Sequence, residues 1–274
     1  MIDPRTLRDT VVDRTREGLA ALDSAVLASL RREPETFAYI GAWGVNVVSS
    51  LAGWEKPRKA SKSLLMPLLA AGVVRRRRTI GDGGAAALLV GLAGAWLGDL
   101  LLMPEDPPLN RGSAAFAVTQ LSHQGLMWRN GARPTAAGIA LRAPAAAGGA
   151  ALVALRRPGF LPAALLYGPL LAFTGVLGDD RALVRGAGPV DRDAVTGLPV
   201  GDAAYGISHG ANVFLISDTI LMARSLFTRP RGGLARRALD AAVMDTYCLA
   251  QLLLVRGLAA VEEQRTASAA GDAR

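Results

Sequence analysis

The chain runs to 274 residues, 51% of them hydrophobic, with a net charge of +8 and a mean hydropathy of +0.28. Uninterrupted apolar runs such as residues 84–98 and 163–178 leave no polar helix face for water, which excludes a soluble globular domain and reads as membrane composition. The basic residues lie between apolar spans rather than along one helical face, so membrane lipids with anionic head groups are the expected partners and nucleic acid is not. The sole cysteine, Cys248, sits in an apolar segment, which excludes a disulfide framework or a thiol metal site and leaves it a small buried residue.

Residues 1–36 are charged throughout and show no cleavable signal peptide, so the first apolar run, beginning near Phe37, is expected to stay in the mature protein. Within this tail Leu7, Val11, Val12, Leu19, Leu22, Val26 and Leu30 recur at roughly helical spacing. The pattern reads either as an amphipathic helix lying on the membrane surface or as a solvated helical tail.

Apolar spans follow near residues 37–53, 63–74, 81–103, 112–128, 134–155, 160–178, 201–222 and 240–260. The expected fold is therefore all-α, a polytopic transmembrane bundle of about eight helices over residues 37–260, with a polar C-terminal tail at 261–274. The second span is short for a bilayer of about 30 Å and borrows the stem of Lys62 and its basic flanks, which can snorkel to the interface. The fifth carries Arg142 and Pro144. The stretch 179–200, rich in Gly, Pro and both charge signs, reads as a loop. Eight crossings place both termini on one side; counting Lys and Arg barely separates the two sides, and with the N-terminal tail included it favours cytoplasmic termini.

Gly98-Asp99-Leu100-Leu101-Leu102-Met103 ends the third span and Ser217-Asp218-Thr219-Ile220-Leu221-Met222 ends the seventh. Four spans separate the two segments, so the helices run in the same direction and both aspartates are expected about one turn from the same membrane face. An ionisable group inside a span is costly unless paired or hydrated, which makes Asp99 and Asp218 the leading catalytic candidates; interhelical packing is the competing role. The even-numbered spans begin on the same face and bring Lys62, His123, Tyr167, Tyr247 and Gln251 to that half of the bilayer. Tyr247 and Gln251, four apart, share a helix face, as do Gln120 and His123 at three. Singly, each reads more readily as an interhelical hydrogen bond than as a catalytic residue, and together with two carboxylates they read as a pocket. A metal site from His123, His209 and the aspartates is disfavoured, because His209 falls on the opposite side of its helix from Asp218, and Asn212 also points away.

Five segments taken in order resemble the YhhN-type lysoplasmalogenases, multi-span membrane proteins. They are Lys62-Ser63-Leu64-Leu65-Met66-Pro67, Leu97-Gly98-Asp99-Leu100-Leu101-Leu102, Phe116 through His123, Phe214-Leu215-Ile216-Ser217-Asp218-Thr219 and Tyr247-Cys248-Leu249-Ala250-Gln251. The long N-terminal tail, the extended 179–200 loop and Gln124-Gly125-Leu126 after His123 depart from the family pattern. The resemblance implies a bacterial cell-membrane hydrolase, with no cofactor, that cleaves the vinyl ether bond of a lysophospholipid to a fatty aldehyde and a glycerophospho-alcohol. That reaction needs a proton donor and an anionic stabiliser for an oxocarbenium ion, roles that two carboxylates can divide. Lys62 would bind the lipid phosphate or pair with an aspartate, and His123 would relay a proton. A lipid transporter, whose site belongs at the bilayer midplane, and a noncatalytic lipid-binding scaffold are the alternatives. Oligomeric state has no signature in the sequence.

Overall fold

Long apolar runs punctuated by Gly, Pro and basic turns fold as a bundle of long helices. A computed structural model describes residues 4–27, 33–104, 107–194, 197–228 and 233–272. An N-terminal helix, α1 (Pro4–Leu22), precedes eight bundle helices: α2 (Pro34–Ala52), α3 (Glu55–Arg75), α4 (Asp82–Leu101), α5 (Leu109–Arg129), α6 (Ala136–Arg156), α7 (Leu161–Gly178), α8 (Gly206–Phe227) and α9 (Leu234–Asp272). The only strands among the described residues are the antiparallel pair Asp191–Arg192 and Pro199–Val200, within the loop between α7 and α8.

The protein is an all-α transmembrane bundle. Among the described residues, four segments are long and apolar enough by themselves to cross a membrane: Asp82–Leu101, Ala136–Arg156, Pro158–Gly178 and Leu234–Gly271. The other bundle helices carry more internal polar residues, which lowers their hydropathy. Large apolar side chains remain on the outside, among them Leu141 at 74% exposure and Leu155 at 83%, as expected for surfaces whose solvent is lipid.

Close packing rests on small residues, the usual currency of helix association in lipid. Gly91, Gly94 and Gly98 form a stripe along α4 that faces α5; a Cβ on Gly94 would lie 2.8 Å from the Ala115 carbonyl oxygen, and one on Gly98 would lie 2.6 Å from the Phe116 ring. Gly206 and Gly210 of α8 meet Leu253 and Ala250 of α9 in the same manner. Gly53 stops α2 in the left-handed region at φ 77°, which only glycine adopts without strain, and its N–H bonds to Ser49 O. That tight stop lets α3 begin two residues later.

Several sequence expectations are corrected. The second span is the inner part of a longer helix that starts at Glu55, since the charged turns ahead of residue 63 are helical too. The N-terminal helix forms, with Val11, Val12 and Leu19 exposed, Leu22 and Val26 packed against the core, and Glu17, Ala20, Ala21 and Ala25 buried. It docks through that small and acidic side: Glu17 accepts from Arg181 at 2.8 Å, and His209 Nε2 lies 3.0 Å from Arg14 O. Leu30 lies outside the described residues. The stretch after residue 260 is no separate tail, because α9 continues to Asp272 and buries Val261 and Glu262; residues 273–274 lie outside the described residues. Glu262 draws that end of α9 inward by accepting from Arg129, Asn130 and Arg265.

Nor are the internal polar groups confined to one half of the bundle. The opposite half holds that Glu262 cluster, the Glu33–Arg256 pair at 2.5 Å, and Arg142 bonded to Asp179 at 2.5 Å and to Asn212 at 2.7 Å. Buried charges require partners, and loop and helix-end residues supply them here.

Candidate active site

Asp99 stands two residues from the end of α4 and is 2% exposed. Its Oδ1 is 3.3 Å from Lys62 Nζ, and its Oδ2 accepts a 2.8 Å hydrogen bond from Tyr247 Oη. Lys62 is itself buried, one turn past Arg58 on α3, so its ammonium is directed inward rather than to the interface. Asp218 on α8 is half-buried, and its Oδ2 accepts a 2.5 Å hydrogen bond from Tyr167 Oη. No ion pair reaches Asp218 among the described residues.

The two aspartates do not sit equally far from their helix ends. The seventh helix runs to Phe227, five residues past the sequence estimate, which leaves Asp218 nine residues from its end, about 13 Å along the axis. They nevertheless line one cavity of about 90 Å³, together with Lys62, Tyr167 and Tyr247. Phe116 forms its inner wall, its ring edge-on to Tyr247 at 5.9 Å and tilted to Tyr167 at 6.5 Å, and Phe214 meets Tyr247 edge-on at 5.6 Å. These contacts fix both phenols, and therefore the direction from which each carboxylate is held.

Five of the seven candidate residues thus meet: Asp99, Asp218, Lys62, Tyr167 and Tyr247. His123 and Gln251 do not. Both are fully buried, neither lines the cavity, and neither side chain finds a hydrogen-bond partner among the described residues. Each is one or two turns farther along its helix than the aromatic wall, Gln251 beyond Tyr247 and His123 beyond Phe116. The expected proton relay through His123 therefore has no geometry to support it. His209 is engaged with α1, and Asn212 with Arg142 and Asp179. Among the described residues no three His, Cys, Asp or Glu side chains cluster as metal ligands would.

Sequence reasoning passed over Phe116, Arg58 and Arg224, which all line the cavity. A signal for the first was present: Phe116 precedes Gln120 by the same four residues that separate Tyr247 from Gln251. Beside Asp218 the cavity adjoins a largely apolar groove of about 270 Å³ between α6, α7 and α8. The two spaces share Leu109, Ser113, Tyr167, Asp218 and Leu221. The middle of the α6 wall is made of small residues, Ala145, Ala146, Gly149 and Ala150, with Arg142 and Val153 at its two ends.

The fold and the site define a membrane protein with two carboxylates inside a transmembrane bundle: both line a polar cavity, and Asp218 also lines the adjoining groove. The chain belongs to the YhhN family, whose model matches residues 58–258, a stretch that holds every residue lining the cavity except Ser50 of α2. Comparison with curated proteins and with solved structures yields no match.

Proposed function

We propose that this protein is an intramembrane ether hydrolase that cleaves the vinyl ether bond of a lysoplasmalogen-type lysolipid in a bacterial cell membrane. The observation that carries the reading is the position of Asp99 and Asp218 in one polar cavity that shares its Tyr167 and Asp218 wall with an apolar groove. The lipid chain occupies the groove, and the ether linkage falls beside Asp218. The YhhN-type resemblance of the five sequence segments supports the choice of substrate.

The different surroundings of the carboxylates divide the work. Asp99, ion-paired with Lys62, is the anion; Asp218, hydrogen-bonded by a neutral phenol, is the proton donor. Asp218 protonates the alkenyl carbon remote from oxygen, and the carbon bonded to oxygen becomes an oxocarbenium centre that the Asp99 charge stabilises. Water adds to that centre and gives its proton to the Asp218 carboxylate, which restores the acid. The resulting hemiacetal breaks its bond to the glycerol oxygen as its hydroxyl proton passes to that oxygen, releasing a fatty aldehyde and a glycerophospho-alcohol. One water is consumed, and no redox step is needed.

The test is incubation of purified protein with alkenyl, alkyl and acyl lysolipids of matched chain and head group. Aldehyde release from the alkenyl lipid alone is the expected result. Fatty acid release from the acyl lipid, or no release from any, would overturn it.

A further inference from the structure

The sequence offers Lys62 two roles, cation for a lipid phosphate or partner of an aspartate, and in the folded protein its ammonium is buried and 3.3 Å from Asp99. Two other cations line the same cavity nearer its mouth. Arg58 is one turn before Lys62 on α3, and Arg224 is six residues beyond Asp218 on α8. Arg58 spends only its Nη2 on a partner, Glu55, at 2.9 and 3.1 Å. Arg224 bonds Asp240 through Nη1, while its Nε is buried and finds no acceptor among the described residues. A guanidinium carries five N–H donors in a fixed fork, so both arginines keep donors for an oxyanion.

The spacing fits a specific ligand. Six helical residues separate Asp218 from Arg224 by about 9 Å along the axis. In a glycerophospholipid bearing an ether chain, six bonds join the ether carbon of the chain to the phosphorus, and at about 1.5 Å each with tetrahedral bends they extend roughly 7–8 Å. A chain anchored in the groove with its ether carbon at Asp218 therefore carries its phosphate to the level of Arg224. Each arginine has one carboxylate neighbour that takes a single nitrogen of its fork: Glu55 accepts from Arg58 Nη2, and Asp240, which lines the cavity, from Arg224 Nη1.

The geometry points to Arg224 and Arg58 as the clamp for the phosphate of a lysophospholipid head group, with Arg224 as the principal contact. The inference rests on the ether-lipid reading of the cavity, and its test is chosen to be independent of turnover.

The full-length protein in detergent is titrated with two non-hydrolysable probes of equal chain length, an alkyl-ether lysophospholipid and the alkylglycerol that lacks its phosphate. Wild type is expected to prefer the phospholipid by at least about tenfold, in keeping with charge-assisted hydrogen bonds. Arg224→Gln should remove most of that preference, Arg58→Gln part of it, and Arg224→Lys should restore part. Binding of the alkylglycerol should stay unchanged in all three, which also reports that the variants are folded. Equal affinity of wild type for the two probes, or an Arg224→Gln variant that keeps the full preference, overturns the assignment. Displacement of the lipid by millimolar inorganic phosphate or glycerophosphate would assign the clamp to a free phosphate and overturn it in its lipid form. Hydrolysis of an alkenylglycerol, measured separately, tests the ether-cleaving reading without involving the clamp.

Discussion

The Tyr167 hydroxyl lies 2.5 Å from Asp218 Oδ2, the counterpart of the 2.8 Å bond from Tyr247 to Asp99. Each carboxylate is thus held by a phenol from a helix that begins at the cavity end of the bundle, and only Asp99 has an ammonium as well.

That pairing makes the aspartates a functional unit. Asn preserves the volume and the hydrogen bond from tyrosine, yet it can neither give up a carboxylic proton nor hold a negative charge. Asp99→Asn and Asp218→Asn should each lower turnover on an alkenyl lysolipid by at least about a hundredfold, with detergent-solubilised stability near wild type. The double variant should be scarcely slower than either single one. Steady-state kinetics with thermal unfolding of the same samples checks this; parallel losses of stability and turnover would instead assign the pair to helix packing.

Lys62 is expected to act through Asp99. Lys62→Gln should reduce kcat by roughly tenfold or more and leave KM within about twofold, because the ammonium stabilises the catalytic anion rather than holding substrate. A rise in KM with unchanged kcat would return Lys62 to head-group binding.

The apolar groove should set chain preference. A Cβ on Gly149 would be 3.7 Å from Met222 Sδ, so a larger side chain there projects into the groove. Gly149→Leu is expected to raise KM for long-chain lysolipids about tenfold and to spare short-chain ones. Kinetics across a series of chain lengths reads this directly, and a loss independent of length would reject the groove as the chain site.

Helix contact through Gly94 admits no side chain. The obstacle is the backbone oxygen of Ala115, which a rotamer change cannot move, and Thr119 beside it is already committed to Gly91 O at 2.8 Å. Gly94→Ala should destabilise by about 1–3 kcal/mol, as overpacking does, and lower Tm in detergent by roughly 3–10 °C.

Glu33, just ahead of α2, offers a pH test outside the spans. Burial pushes its carboxyl up, but the hydrogen bond and charge of Arg256, with Thr36 and the Arg76 charge, override this and hold it at about 2. A carboxyl below its ordinary value of 4.5 contributes stability that is complete above that value and is lost as pH falls toward about 2. The shift corresponds to roughly 3 kcal/mol at most. Thermal unfolding between pH 5 and pH 2.5 should therefore decline more steeply for wild type than for Glu33→Gln. Identical slopes would mean that the Arg256 contact contributes nothing.

Much of the fold is legible in the sequence because a bilayer core permits few backbone solutions: a long apolar run there must be a helix, and its length is set by membrane thickness. Four bundle helices follow from that alone, and the other four from shorter apolar runs between basic and Gly- or Pro-rich turns. Asp99, Asp218 and Lys62 stand out for the same reason, as charges where the solvent tolerates few. What hydropathy cannot encode is how far each helix runs past its apolar core and which way it is rotated. The overrun of α8 to Phe227 moved Asp218 deeper than its apolar span implied and left Arg224 near the cavity mouth. Rotation and packing, set by the Gly91–Gly98 stripe and the Phe116 ring, brought Tyr167 and Tyr247 onto the carboxylates and left His123 and Gln251 outside the cavity. The N-terminal helix shows the same limit: its pattern read as a helix on the membrane surface or a solvated one, and did not reveal that Glu17 would meet Arg181 while Ala20, Ala21 and Ala25 are buried. Hydrophobic pattern selects the solvent for a helix; steric fit and the pairing of buried charge, which only the assembled bundle decides, select its neighbours.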